Sequence, residues 1–186
     1  MFIYIPGEII SLLTFPGVIL HEIAHRFFCD IFNVPVYAIS YFRPFSKEAG
    51  HVILAKQSKI TPAFFIAIGP LIINSLACML LTFPFAMMQT LGTSFALEWS
   101  PYPFLLNPTN FAAWLGYSIG LHAIPSNQDL EPLKRIPEEG AKKESAILLS
   151  ALLWIFNVKY IGSMLTLLYT IAISFILPKI VLGFLS

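Results

Sequence analysis

Charge is what this chain has least of. Of its 186 residues only 11% are Asp, Glu, Lys or Arg, while 57% are hydrophobic. A soluble domain of this size carries more charge and less apolar surface, so that class is excluded. A net charge of +1 gives no basic surface for nucleic acid, and none is expected as a partner. With two cysteines, Cys29 and Cys78, the chain has neither a disulfide framework nor a paired-cysteine metal motif. Both read as small apolar residues. The N-terminus has no basic region of the kind that opens a removable signal peptide, and it is expected to stay with the chain.

What remains is apolar runs, and these predict an all-α multi-pass membrane protein, one domain over residues 1–186 embedded in the lipid bilayer. About four to five transmembrane helices are expected. The first span covers roughly residues 2–28, with a kink expected at Pro16-Gly17. Thr61-Pro62 opens a second, reaching Gln89. Asn107-Pro108 opens a third, reaching Ala123. The tail from Ser145 to Ser186 is too long for one straight span, and either a half-span with a full span or two tight spans would fit it. Between the first two spans, Val36–Phe42 and His51–Ala55 are β-branched or aromatic runs separated by turn formers. They predict a β-hairpin beside the membrane, with His51 as a strand residue.

Nine of the eleven Lys and Arg fall in segments 26–60 and 125–145, and none falls in 90–107. The positive-inside rule then places the first two segments in the cytoplasm and the third outside, with the N-terminus outside.

One short motif carries chemistry. His21-Glu22-Ile23-Ala24-His25 is H-E-x-x-H, and on a helix its two histidines share a face. Two imidazoles so placed can bind one zinc ion, with Glu22 beside them to take a proton from the attacking water. Ionisable groups inside apolar spans are costly and are usually kept for function. A catalytic zinc takes three protein ligands. With four His and two Asp in the chain, Asp129 is the favoured third and His122 the alternative, since both lie at the expected cytoplasmic end of the third span. Asp129 has a second reading as a cap of the short helix after that span. Cys29 is a remote further candidate, and Asp30 is read as flanking the helix end. In the second span, Gly69-Pro70 weakens the helix and lets another backbone approach. Asn74 then needs a partner, either a substrate backbone or a neighbouring helix. Gly116 and Gly120 are spaced for close helix packing.

These features together resemble the site-2 protease family, the intramembrane zinc metalloproteases. The resemblance rests on H-E-x-x-H in the first core span, Gly-Pro then Asn in the next, and an Asp after the third, over roughly residues 15–130. It implies zinc held by His21, His25 and Asp129, Glu22 as general base, and a membrane-associated β element before the second core span. The chain departs in two places: Leu130 stands where the family usually has Gly, and three residues rather than two separate Pro70 from Asn74.

The expected function is therefore an intramembrane zinc metalloendopeptidase. Its partner would be a membrane-protein or membrane-peptide substrate bound as an extended strand along the hairpin. The rivals are a non-proteolytic zinc-binding membrane protein with a chaperone or interaction role and, further off, a small ion transporter.

Overall fold

The computed structural model describes residues 7–46, 49–92, 107–136, 144, 145, 147, 148, 151 and 161–185. Among these, 74% are helical, with one two-stranded sheet. In chain order the elements are α1 (Gly7–Leu13), α2 (Phe15–Ile31), β1 (Val36–Ser40), β2 (His51–Leu54), α3 (Ile60–Thr90), α4 (Pro108–Leu121), α5 (Asn127–Arg135), α6 (Ile161–Ser174) and α7 (Ile176–Leu185).

Two stretches, Ile60–Thr90 and Gly162–Phe184, are long and apolar enough to cross a membrane. The other helices of the expected first and third spans are shorter. At 1.5 Å per residue, α2 with 17 residues and α4 with 14 reach only about 26 and 21 Å. The first apolar run breaks at Thr14 and not at Pro16-Gly17. Pro16 lies in the first turn of α2, where a missing N–H leaves no helical bond unmade, so it starts a helix instead of bending one. Asn107 caps α4, its side chain accepting from the Thr109 N–H at 2.9 Å. In the tail, α6 and α7 are separated at Phe175, while Asn157 and Lys159 lie outside the described residues. So do most of segment 90–107 and the basic pair Lys142 and Lys143.

α3 is the central helix and packs against α2, α4, α5, α6 and α7. Contacts fix its direction: Phe28 of α2 and Phe32 just after it stack on Phe65, while Gly17, at the other end of α2, meets Asn74. Thus α2 and α3 are antiparallel. On α4, Ser118 bonds Gly17 and the His122 carbonyl bonds His21, so α2 and α4 run the same way. Glycines set the spacing. A Cβ on Gly116 would lie 2.7 Å from Thr82 Cγ2, and one on Gly120 2.7 Å from Cys78 Sγ. Both glycines serve close packing of α4 on α3.

Polar side chains lie inside this bundle, and large apolar ones face out. Asn74, Thr82, Ser118, Thr170 and Ser174 are buried, whereas Leu80, Met164, Leu168 and Phe184 are exposed. β1 and β2 pair antiparallel, with Ser40 opposite His51 and Ile39 opposite Val52, and an irregularity between Val36 and Ala38. β2 rests on α2.

Candidate metal centre and its cavity

α2 presents His21 and His25 one turn apart. Their Nε2 atoms are 3.1 Å from each other. From the start of α5, Asp129 brings Oδ1 to 3.2 Å from His25 Nε2 and Oδ2 to 3.4 Å from His21 Nε2. These three residues could hold a metal ion. Asp129 comes from 104 positions beyond His25, and α3 lies between them in the chain.

The outer nitrogens define what the inner ones carry. His21 Nδ1 is 2.7 Å from the carbonyl oxygen of His122, and His25 Nδ1 is 2.7 Å from that of Ile66. A carbonyl has no proton to give, so both Nδ1 atoms donate, and in the neutral ring both Nε2 atoms present bare lone pairs. Two lone pairs and a carboxylate therefore converge on one point. Only a cation or a shared proton satisfies such a set.

Asp129 has a second task. Its Oδ2 accepts from the Ser126 N–H at 2.7 Å, while Ser126 Oγ accepts from the Asp129 N–H at 3.3 Å, a capping box at the start of α5. The carboxylate that caps α5 is the one that faces both histidines, and the box aims it. Burial alone would raise the Asp129 carboxyl, but with a proton on the facing imidazoles, His25 and His21 hold it well below the usual carboxylate range.

The structure separates the remaining candidates. The His122 ring turns to Thr14, with Nε2 2.8 Å from Oγ1, and it contributes its carbonyl to His21 instead of its ring to the cluster. Asn74 is fully buried. Its Nδ2 reaches the carbonyls of Gly17, Ile119 and His122 at 3.4, 3.4 and 3.0 Å. It ties α3 to α2 and α4 and touches the carbonyl that orients His21. Cys29 is a buried free thiol, and Asp30 pairs with Arg26 at 3.0 Å.

Glu22 is buried beside the cluster at 6% exposure and lines a cavity of about 1070 Å³. His21, His25 and Asp129 line it too, as does every residue from Ala49 to Gln57. The hairpin closes on Glu22: a Cβ on Gly50 would lie 2.7 Å from both Cγ and Oε1 of Glu22. His51 opens β2 at the cavity wall, with Arg43 against its Nδ1.

Sequence reasoning missed the two orienting carbonyls and the Gly50–Glu22 contact. For His122 a signal existed, since a residue closing a helix leaves its carbonyl unused.

No protein-family model matches this chain, and no curated protein or solved structure matches it.

Proposed function

We propose that this chain is an intramembrane zinc metalloendopeptidase. The observation that carries the proposal is the convergence of His21 Nε2 and His25 Nε2, 3.1 Å apart, on the Asp129 carboxylate, whose Oδ1 is 3.2 Å from His25 Nε2 and whose Oδ2 is 3.4 Å from His21 Nε2. Ligands about 2.0–2.1 Å from a tetrahedral zinc are separated by about 3.3 Å, so the spacing suits zinc. The resemblance of the motifs to the site-2 protease family supports the same reading.

His21, His25 and Asp129 would hold the metal. When bound, zinc acidifies water and polarises a peptide carbonyl. Glu22 would accept a proton from the attacking water as the new C–O bond forms, then deliver it to the amine as the C–N bond breaks. The His122 and Ile66 carbonyls keep both imidazoles turned the right way throughout. The cavity between α2, β2 and α5 gives water and substrate a common route to Glu22.

The substrate would lie as an extended strand. A helix keeps its carbonyls in its own hydrogen bonds, so a membrane helix must unwind before it can be cut. Backbone groups freed in a dry environment are costly unless another backbone accepts them. β2 offers that partner, because the whole run 49–57 lines the cavity.

In this reading the outward apolar side chains meet lipid, and the apolar runs make four to five spans. The alternating directions of α2, α3 and α4 fit an N-terminus outside and a metal centre towards the cytoplasm. The test is metal analysis of the purified chain. One zinc per chain is expected, and it should be lost in His21→Ala and in His25→Ala. Full zinc content in both variants would end the proposal.

A further inference from the structure

His25 must keep its Nε2 free, and the group that secures this is the carbonyl of Ile66, 2.7 Å from Nδ1. Ile66 lies well inside α3, which runs from Ile60 to Thr90. A carbonyl inside an α-helix normally accepts from the N–H four residues on. For Ile66 that residue is Pro70, which has no N–H. The proline ring also crowds the carbonyl four residues back and tilts it off the helix axis. The one carbonyl that Pro70 releases is therefore the one that His25 uses.

Gly69 makes the approach possible. A Cβ there would lie 3.2 Å from the Ala24 carbonyl oxygen and 2.5 Å from Phe28 Cδ2. Without that Cβ, the α2 turn that carries His25 comes within hydrogen-bonding distance of α3. Pro84 is the other proline inside α3. It would free the carbonyl of Leu80, an exposed residue away from the cavity. The two prolines thus have the same effect on the helix, and one of them faces the histidine.

We infer that Pro70 is a positioning residue for the metal centre: by withholding an N–H from α3 it reserves the Ile66 carbonyl for His25 Nδ1, which leaves Nε2 as the ligand atom. The inference rests on the metal-binding reading above. Its consequence reaches beyond helix shape. Restoring an N–H at position 70 draws the carbonyl back to the helix axis and into competition with His25.

The test compares the full-length wild type, Pro70→Ala and Pro84→Ala in lipid nanodiscs. Two quantities are read: zinc affinity against a competing chelator, and the ¹⁵N resonances of the histidine rings in the metal-free protein. Loss of an orienting partner weakens metal binding by about 10- to 100-fold, so Pro70→Ala should lose at least about tenfold and Pro84→Ala less than about twofold. The His25 Nδ1 resonance should move in Pro70→Ala only. An ester linkage in place of the amide at position 70 of Pro70→Ala removes the N–H again without restoring the ring, and it should return the affinity to within about threefold of wild type. If that ester stays as weak as Pro70→Ala, the ring and not the missing N–H matters, and the inference is overturned. It is also overturned if Pro70→Ala, with wild-type helix content, binds zinc as tightly as wild type and leaves the His25 resonance in place. Should Pro70→Ala not fold, the wild type decides: a through-space NMR contact between His25 Nδ1–H and the labelled Ile66 carbonyl supports the inference, and its absence overturns it. A wild type that binds no zinc would sink the metal reading, while the His25 resonance still decides the role of Pro70.

Discussion

Gly17 and Ser118 meet where α2 packs against α4. The Gly17 N–H donates to Ser118 Oγ at 3.2 Å, and a Cβ on Gly17 would overlap the Ser118 carbonyl oxygen. One turn further along both helices, His21 meets the His122 carbonyl. The crossing therefore helps hold the carbonyl that orients the His21 ring. Gly17→Ala should force the helices apart, at a cost of about 1–3 kcal/mol for overpacking. A thermal melt reads that loss, and zinc affinity should fall with it. An unchanged melting temperature would mean that the contact is slack.

Asp129 and His122 should behave differently. Asp129→Ala removes both a ligand and a helix cap, and zinc affinity should fall by more than about a hundredfold. Asp129→Asn keeps an acceptor for the Ser126 N–H, so it should restore much of the cap, worth about 1 kcal/mol, and little of the metal binding. His122→Ala leaves the backbone carbonyl that His21 uses and should bind zinc within about tenfold of wild type. The opposite order in chelator competition would make the His122 ring the ligand.

Gly50 approaches Glu22, the proposed general base, through space that only hydrogen can occupy. Gly50→Ala puts a methyl group where Glu22 Cγ and Oε1 now lie. Cleavage should slow by between about tenfold and a hundredfold, since small misplacements of a catalytic group are costly. Zinc content should not change. Loss of zinc in step with activity would show that the hairpin supports the ligands instead.

Ile53 sits inside β2, opposite Ala38. A proline there removes an N–H from the strand and obstructs pairing. Ile53→Pro should slow cleavage with zinc retained, and stably helical substrates lacking Gly, Pro or Asn near the cut should be poor for the wild type. Equal cleavage of helix-breaking and stably helical substrates would remove strand addition from the account.

Much of this arrangement could be read from residue types. The apolar run at 60–89 predicts the second span, and the helix is Ile60–Thr90; the hairpin strands fall within the two β-branched runs. The H-E-x-x-H spacing set two histidines on one face, and a carboxylate on a polar turn reached them. Backbone geometry was less legible. Pro16-Gly17 looked like a kink, yet Pro16 starts α2 and Gly17 serves the crossing with α4, because a partner helix is invisible in one segment's sequence. For Asp129 the cap and the metal reading are compatible, since Oδ2 takes the Ser126 N–H while Oδ1 faces His25. Among the described residues two stretches meet the length of a bilayer, and α2 and α4 are shorter than that.

Cysteine labelling in sealed vesicles tests the orientation. Cys29 and Cys78 are both buried, so small apolar replacements should be tolerated. In that background Glu98→Cys, outside the described residues, should label from the outer side only. Labelling from the cytoplasmic side would invert the topology.

The central claim is tested most directly by cleavage of a transmembrane peptide with zinc-loaded wild type and zinc-loaded Glu22→Gln side by side. The amide cannot accept a proton, and it leaves the three metal donors in place. The account predicts one zinc per chain in both proteins, cleavage by the wild type, and a rate for Glu22→Gln lower by at least about a hundredfold. Equal cleavage by the two proteins, or a zinc-loaded wild type that cuts no membrane peptide, would contradict it.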